Sequence, residues 1–250
     1  MSEKDREDGN IEFIIPQGFE EDDKPGRKNL NIKTSCTRCG TCCISNSPVL
    51  LKDDLPLIIS GVLSYDNLYT IREGELMKSH DNETYEASMD IIKIKGKKGT
   101  AECVFYDGEA GCKIYENRPA QCMIFNCWSS HEELTGLEAK RLLRKELFDS
   151  VEVLLNIMDL HEKKCSYRKL SDALEKVAQG SEDAAAEIID MLGYDTYARP
   201  FFHEKFNIPE NAMELILGRP MVDTIREFGV KVEKNGEEYI LLPIEKQEGK

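Results

Sequence analysis

The residues in this sequence that could do chemistry are mostly cysteines, and the densest group begins at Cys36. Four of the eight residues from Cys36 to Cys43 are cysteines, in the pattern C-x-x-C-x-x-C-C. The part formed by Cys36, Cys39 and Cys42 predicts a tight turn in which three sulfurs converge. Three thiolates this close would repel one another without a cation, and the usual cations are Zn²⁺ or the irons of an iron–sulfur cluster. The side chain of Cys43 diverges from its neighbour, so we expect its partners to come from a distant segment.

A second group of cysteines further along the chain supplies such a segment. It consists of Cys103, Cys112, Cys122 and Cys127. Each is predicted to lie in a turn or at the end of a helix or strand, which is how small metal sites are usually built. We therefore predict that all eight cysteines of the two groups are metal ligands. Disulfides or ordinary buried thiols are the alternative, and the reducing compartment predicted below disfavours it.

The two groups resemble the YkgJ-like cysteine-cluster family, whose members are described as zinc- or iron-chelating domains. The resemblance rests on the C-x-x-C-x-x-C-C run and on the later Gly-Cys-x-Ile-Tyr-x-x-Arg-Pro-x-x-Cys segment. It covers residues 35 to about 128. Two departures are Met123, where we expect Arg, and Asn126-Cys127, where many members carry Pro and an aromatic residue. The resemblance implies a metal centre and not a particular reaction, although a flagellin lysine methylase carries a related module.

The ligand spacing favours iron–sulfur over zinc. C-x-x-C-x-x-C with one remote cysteine is a common way to hold a [4Fe–4S] cluster, whereas structural zinc more often uses paired C-x-x-C knuckles. Eight cysteines could complete two such clusters, with Cys43 joining the second group. A single centre with spare thiols remains open, and Zn²⁺ remains the alternative metal.

One cysteine, Cys165, lies outside both groups. It follows His161 by four residues on a predicted helix, so the two side chains face the same side. They would be two further ligands if they bound metal. The favoured interpretation is a half-buried thiol beside a hydrogen-bonded histidine.

The composition is that of a globular protein without a membrane anchor. The 250 residues are 40% hydrophobic and 32% charged, and they contain no apolar run of about 20 residues that could span a bilayer. A net charge of −14 argues against nucleic acid and anionic membranes as partners. Residues 1–10 are too polar for a signal peptide. We therefore expect a cytoplasmic protein with no direct membrane insertion.

The patterning predicts an α+β, helix-rich fold in three parts. These are an acidic flexible arm at 1–29, a cysteine-cluster metal-binding module with small β-hairpins at 30–131, and a helical region with a C-terminal hairpin at 132–250. In the module, Asp53 or Asp54 is predicted to begin a helix, and Pro119 a second one. Two hairpins are predicted there, 69–72 with 76–78 and 90–95 with 100–106.

In the helical region, apolar residues at three- and four-residue steps predict one helix from 134 to about 165. A second helix is predicted to end at Gly180, and a third, capped by Ser181, to end before Gly193. Shorter helical pieces are predicted at 195–206, 209–217 and 220–228. Asn235-Gly236 predicts the turn of the closing hairpin.

The arm contains an apolar stretch among its acidic residues. Its apolar side chains are those of Ile11, Phe13, Ile14, Ile15 and Phe19. They could fold back onto the protein, because exposed apolar patches need cover, or dock on a partner protein. The second possibility makes this stretch the predicted partner-docking segment, and the partner could be a larger complex.

These observations predict a metal-cluster protein, most simply with one or two [4Fe–4S] centres, that acts as a redox- or oxygen-responsive accessory and binds another protein. A lysine methylase-like enzyme is an alternative suggested by the resemblance alone. The phosphate loop, the dinucleotide turn and the C-x-x-x-C-x-x-C spacing of radical enzymes do not occur in the sequence. A zinc-stapled adapter without a redox role is the other alternative.

Overall fold

A computed structural model of the chain describes residues 36–78, 83–98, 100–109, 111–125, 136–235 and 238–244. All of them belong to one compact unit, Ser35–Lys250. The predicted arm at 1–29 lies outside the described residues. So do the ligand candidate Cys127 and the docking residues Ile11, Phe13, Ile14, Ile15 and Phe19.

The described residues form an α+β, helix-rich fold, as predicted. The helices are α1 (Thr41–Ser45), α2 (Leu55–Ile59), α3 (Ala120–Ile124), α4 (Arg144–Leu147), α5 (Glu152–Lys164), α6 (Tyr167–Ala178), α7 (Glu182–Phe206), α8 (Met213–Ile216) and α9 (Met221–Thr224). The strands are β1 (Leu68–Ile71), β2 (Leu76–Lys78), β3 (Thr84–Glu86), β4 (Ile91–Ile94), β5 (Tyr106–Asp107), β6 (Gly111–Cys112), β7 (Val230–Asn235) and β8 (Glu238–Pro243). They pair antiparallel as β1–β4, β2–β3, β5–β6 and β7–β8. Within the described ranges, no helix is both long and apolar enough to cross a membrane.

Several predicted boundaries are confirmed. α2 begins directly after Asp54, and α3 begins directly after Pro119. α6 ends two residues before Gly180, whose φ of 91° is left-handed. β7 and β8 form the predicted closing hairpin, with Asn235 opposite Glu238. In each case a residue with a strong local preference sets the boundary.

The first predicted hairpin is wrong in its pairing. We predicted that 69–72 would pair with 76–78, but β1 pairs with β4, and β2 pairs with β3. β4 offers three isoleucines, all of them buried against the core, whereas β2 ends in the exposed Lys78. Pairing β1 with β4 therefore removes more apolar surface from water than the local hairpin would.

The second predicted hairpin, 90–95 with 100–106, is present only as a remnant. Gly96 and Cys103 form an isolated bridge, but the second arm is not a strand. Two backbone hydrogen bonds hold that bridge, from the N–H of Val104 to the C=O of Lys95 at 3.1 Å and from the N–H of Lys97 to the C=O of Glu102 at 2.6 Å. The N–H of Cys103 donates to the C=O of Cys43 at 2.8 Å and so ties this short pairing to the first cysteine group.

The single helix predicted over 134–165 is also wrong. Residues 134 and 135 lie outside the described ranges, and Leu137–Lys140 is a 3₁₀ turn. α4 and α5 follow as separate helices, with a turn at 148–150 between them. Asp149 and Ser150 occupy that turn, and their short polar side chains favour non-helical backbone. The apolar period continues across the break, which is why the pattern concealed it.

α7 is longer than predicted, because Gly193 does not end it. Ser181 caps the helix as predicted, and its Oγ accepts a hydrogen bond from the N–H of Ala184 at 3.3 Å. The helix then runs through Gly193 and Pro200 and includes the piece predicted at 195–206. Its buried face continues beyond the glycine with Asp195, Ala198 and Phe202. Packing on both sides outweighs the helix preference lost at one glycine.

The main core combines residues from both predicted regions. It includes Leu50, Leu68, Ile92, Ile94 and Cys103 from the module, and Ile157, Met158, Phe202, Leu215 and Leu217 from the helices. A second core lies among α6, α7 and α9 and contains Leu170, Ile188, Leu192 and Met221. The module therefore rests on the helical region through a shared apolar surface. The boundary predicted between 131 and 132 stays a prediction.

Candidate metal centre

The first cysteine group forms the predicted tight turn. Arg38 and Gly40 both adopt left-handed φ angles, 57° and 80°, so the backbone reverses sharply around Cys39. α1 begins at once after Gly40 and carries Cys42 and Cys43 near its start. The four thiols of this group therefore lie on one tight turn and the start of the short helix that follows it.

Gly40 is the point at which this turn packs on the second segment. A Cβ atom at Gly40 would lie 2.0 Å from the hydroxyl oxygen of Tyr106, at the start of β5. With a positive φ as well, the position accepts only glycine. Tyr106 was not identified from the sequence. Its place three residues after Cys103 is the only available signal, and that signal does not distinguish it from its neighbours.

The second cysteine group reaches the same place from three short elements. Cys103 is held by its backbone hydrogen bond to Cys43. Cys112 lies on β6, directly opposite Tyr106 on β5. Cys122 lies in α3. As predicted, each of these three cysteines sits in a turn or near the end of an element.

The thiols of the two groups influence one another's ionisation. The pKa of Cys43 is raised far above its usual value. The first cause is a hydrogen bond with Cys42, whose Sγ lies 4.0 Å away, and burial and the charges of Cys42, Cys112 and Cys122 add to it. The pKa of Cys122 is raised to about 12, first by burial and then by the charges of Cys103, Cys112, Cys42 and Asp54. Burial and the charges of Cys112 and Cys42 also raise the pKa of Cys103, against backbone hydrogen bonds that lower it.

Five thiols from two segments therefore share one site, which we call the thiol cluster: Cys42, Cys43, Cys103, Cys112 and Cys122. Their raised pKa values keep the thiols of Cys43, Cys103 and Cys122 protonated at neutral pH without a cation. A bound metal would displace the protons and neutralise the thiolates, which is the usual coupling between metal binding and thiol ionisation. The donor set therefore fits a thiophilic metal or an iron–sulfur centre.

The sulfurs of the thiol cluster are spread more widely than a single zinc ion requires. In a tetrahedral site with Zn–S bonds of about 2.3 Å, the sulfurs lie roughly 3.8 Å apart. Cys42 and Cys43 approach this value at 4.0 Å. Among the described cysteines, no three have sulfurs that all lie within 4.8 Å of one another. A multi-iron centre, whose ligands bind different irons, suits a wider spread.

Cys36 and Cys39 lie at the outer side of the first turn. The Sγ of Cys36 accepts a hydrogen bond from the N–H of Arg38 at 3.4 Å. The Sγ of Cys39 lies 3.4 Å from the Oγ1 of Thr41, and Cys39 is exposed. Their role as ligands stays a prediction.

An aromatic contact fastens the first turn to the second segment. The guanidinium groups of Arg38 and Arg118 lie over the ring of Tyr115, with their carbons 3.8 and 4.2 Å from its centroid. Arg38 also forms an exposed ion pair with Glu116 at 3.2 Å. Tyr115 and Arg118 belong to the Ile-Tyr-x-x-Arg-Pro part of the family signature, so the motif itself was the signal for this contact. Their role is to hold the two cysteine groups together.

His161 and Cys165 do face one another, together with Asp195, and all three are buried. Their candidate ligand atoms lie within 4.8 Å of one another. The carboxylate of Asp195 accepts hydrogen bonds from His161 Nε2, Arg199 and the N–H of Met221, each at 2.8 Å. The thiol of Cys165 donates to the C=O of Met191 at 3.6 Å. These bonds occupy the groups that a metal would need.

The charges around this buried triad explain how it ionises. Burial lowers the pKa of His161 to about 4, despite its hydrogen bond with Asp195. Hydrogen bonds and the Arg199 cation hold the pKa of Asp195 well below its usual value, although burial opposes them. A neutral His161 therefore donates to a carboxylate whose charge Arg199 balances. This arrangement favours the interpretation as a hydrogen-bonded pair rather than a metal site.

A family model described as "CxxCxxCC: Putative zinc- or iron-chelating domain" matches residues 35–142. The match confirms the family resemblance over this segment, which contains the whole thiol cluster and the contacts that assemble it. Metal chelation is the property that the family description and the site have in common. Comparisons with curated proteins and with solved structures find no match.

Proposed function

Because residues 35–142 match the model of a family described as zinc- or iron-chelating, we propose that this protein is a metal-cluster protein with [4Fe–4S] as its preferred centre. In this proposal it is a redox- or oxygen-responsive accessory in the cytoplasm that binds another protein. The observation that carries the proposal is the thiol cluster, in which the backbone of Cys103 bonds to that of Cys43 at 2.8 Å and neighbouring thiols of both segments raise the pKa of Cys43, Cys103 and Cys122.

One feature supports an iron–sulfur centre over zinc. The described sulfurs are spread more widely than one zinc ion requires. When bound, a [4Fe–4S] centre supplies one-electron chemistry, which zinc does not. The chain's part is to hold the thiolates through the Gly40–Tyr106 and Arg38–Tyr115 contacts.

A responsive role is supported by the exposure of the first turn. Cys39 and Cys42 are exposed, whereas Cys103 is buried in the core. A centre held between these residues would be open to oxygen or to an electron carrier on one side only. The chain's own stability would then depend on the state of that centre, which couples a chemical signal to the shape of the surface around it.

Anaerobic purification with analysis of iron, acid-labile sulfide and zinc tests the metal. We expect iron and sulfide in the wild-type protein, and the same content in Cys165→Ser, whose thiol is hydrogen-bonded elsewhere. Cys122→Ser should lose most of the iron. Stoichiometric zinc without sulfide would contradict the iron–sulfur centre and favour the zinc-stapled adapter.

The two cysteine groups should behave as one folding unit. A metal held by both groups clamps the chain between Cys43 and Cys103, so its binding free energy becomes folding free energy. Cys112→Ser should therefore weaken protection from proteolysis around Cys36 as well as around position 112. A loss of protection from proteolysis that is confined to the region of position 112 would instead indicate separate sites.

The partner is proposed to bind through the arm at 1–29, with Ile11, Phe13, Ile14, Ile15 and Phe19 as its contacts. Burial of such side chains contributes about 1.5–3 kcal/mol each, which can exceed the cost of ordering the segment on a partner. Deleting residues 1–23 should leave metal content and melting temperature unchanged and abolish co-purification of the partner. A marked fall in melting temperature of the isolated protein would show that the segment packs on its own chain.

A further inference from the structure

We propose that Asp54 is a positioning residue for the metal centre: it links the segment after the first cysteine group to the helix that carries Cys122. This inference rests on the proposed function, because it concerns how one of the proposed ligands is held. Asp54 is far from Cys122 in the sequence and is not a ligand itself.

The link consists of two hydrogen bonds to one buried carboxylate. Asp54 has only 1% of its surface exposed. One carboxylate oxygen accepts from the N–H of Leu51 at 2.8 Å, which fixes the side chain within its own turn. The other accepts from the N–H of Ala120 at 2.7 Å, across 66 residues of sequence. The same side chain therefore holds two segments that the sequence separates widely.

The donor of the long-range bond is the N–H of Ala120, the first residue of α3. This helix has only five residues, and a helix this short does not hold its geometry in water without outside contacts. It follows Pro119, and its first N–H groups have no partner inside the helix. The Asp54 carboxylate takes up one of them. It thereby fixes the start of α3 two residues before Cys122.

A second contact runs parallel to the first. The N–H of Val49 donates to the side-chain carbonyl of Gln121 at 2.6 Å. Val49 and Asp54 lie in the stretch that follows Cys43 directly, so both contacts tie α3 to the first cysteine group. Gln121 acts through a neutral amide, whereas Asp54 supplies a carboxylate that accepts two donors at once. The carboxylate is the part of the link that a single isosteric change can remove.

Asp54→Asn keeps the size of the side chain and removes one of its two acceptors. The amide NH₂ would then face an N–H donor, and that donor would be left without a partner. Asp53 is the matched control, because it lies in the same 3₁₀ turn and is exposed. Asp53→Asn makes the same change in charge without touching α3.

The first measurement needs no metal. In metal-free, reduced protein, the rate of backbone amide hydrogen exchange in the peptide around each cysteine reports its local freedom without depending on the pKa of the thiol, and mass spectrometry resolves the peptide of Cys122 from that of Cys165. We expect Asp54→Asn to raise the rate at Cys122 about tenfold. A change of this size corresponds to the free energy usually lost when a buried hydrogen bond to a charged group is removed. The rate at Cys165, in the helical core, should stay within about twofold of wild type.

Equal rates at Cys122 in Asp54→Asn and Asp53→Asn would overturn the inference. So would a parallel rise at Cys122 and Cys165, because Asp54 would then support the whole fold and not the position of one thiol. This measurement separates the inference from the proposed function, since it gives its result whether or not the wild-type protein binds a metal.

The second measurement uses Co²⁺ as the probe and follows its thiolate charge-transfer absorption during titration. Removing a residue that orients a ligand typically weakens metal binding about 10- to 100-fold, and we expect this for Asp54→Asn but not for Asp53→Asn. Adding Asp54→Asn to Cys122→Ser should cause no further loss, because the ligand it positions is already absent. Full additivity of the two changes would contradict a role through Cys122. A wild-type protein that binds neither Co²⁺ nor iron would instead refute the proposed function.

Discussion

The thiol cluster and the thiol of Cys165 place the same residue type in two different environments. The thiols of Cys43 and Cys165 both have a pKa above the usual value. At Cys43 the first cause is the hydrogen bond with Cys42, and the charges of Cys42, Cys112 and Cys122 add to the shift. At Cys165, burial is the main cause and raises the pKa to about 12. A bound cation would offset the repulsion between neighbouring thiolates in the thiol cluster, whereas the buried thiol of Cys165 needs no such ion.

The two regions also differ in how they are held together. The cysteine groups are joined by polar and aromatic contacts between short elements, such as Asp54 with Ala120 and Arg38 with Tyr115. α6 and α7 pack through a continuous apolar face. A region built from short elements gains less from burial and more from a bound metal. Stability and metal content should therefore be coupled in one region and independent in the other.

Removal of the metal is expected to have the largest effect and to act on one region. Structural metal sites bind with apparent free energies of about 10 kcal/mol or more. A strong chelator should therefore abolish the amide protection of α1 and α3 and leave that of α6 and α7 largely intact. Native-state hydrogen exchange with and without chelator measures both regions in one sample.

Cys165→Ser provides the control for this experiment. It should cost about 1–3 kcal/mol through its buried site and leave the response to chelator unchanged. Equal loss of protection in α3 and α7 on chelation would mean that the two regions unfold as one, and the comparison would then fail.

Acid should destabilise the helical region through His161. The pKa of this residue is about 4 in the folded protein and about 6.5 in an unfolded chain. Between these values the unfolded chain binds a proton that the folded protein does not, so stability falls as the pH falls through this window. The total loss attributable to His161 is roughly 3 kcal/mol. The groups that face the ring are Asp195 and the cations of Arg72 and Arg199.

His161→Gln tests this directly, because its amide can still donate to Asp195 but does not titrate. Urea unfolding at intervals from pH 7 to pH 4 should show a smaller loss of stability for the variant than for the wild type. Parallel curves would mean that another group causes the acid sensitivity. Asp195 itself titrates below this window, because its pKa is lowered from 3.8.

Residues with strong local preferences made much of this fold predictable. Pro119, Ser181 and Asn235 each act on their own neighbours, and the elements they delimit are present. The cysteine spacing likewise predicted the tight turn and the distant partners of Cys43, but not that the sulfur of Cys42 would lie 4.0 Å from that of Cys43.

The errors had two causes, a distant partner that outweighed a local one and a local break that the apolar period concealed. β1 pairs with β4 and not with the nearer β2, whereas the break between α4 and α5 follows from Asp149 and Ser150. Gly193 does not end α7, because the buried face continues beyond it. Asp54 was predicted only as a residue beginning a helix, and its bond to Ala120 depends on a contact that sequence spacing does not encode.

Two glycines, one in each region, should respond to alanine with opposite signs. Gly40 has a positive φ and faces Tyr106, whereas a Cβ at Gly193 would meet no atom within 4 Å. Gly40→Ala should cost about 1–3 kcal/mol through overpacking and backbone strain. Gly193→Ala should stabilise α7 by about 0.5–1 kcal/mol, since alanine is the better helix former.

Thermal and urea unfolding of the metal-bound protein measure both glycine variants. Tyr106→Ala should recover part of the loss in Gly40→Ala, because it removes the ring that the new methyl group would meet. A destabilising Gly193→Ala would show that the middle of α7 is less regular than its hydrogen bonds indicate, and it would weaken the contrast between the regions.

The smallest effect is expected at the ion pair between Arg38 and Glu116 on the outside of the thiol cluster. The two side chains are 50% and 82% exposed, so water and salt screen their attraction, and Glu116→Gln should change the free energy of unfolding by less than about 0.5 kcal/mol. Tyr115→Leu should cost more, because it removes the ring on which Arg38 and Arg118 lie and leaves both cations without it. Urea unfolding at low and high salt distinguishes the two contributions, since only the ion pair weakens as the ionic strength rises. A loss above about 1 kcal/mol for Glu116→Gln that disappears in high salt would mean that charge, and not stacking on Tyr115, fixes the first cysteine group to the second.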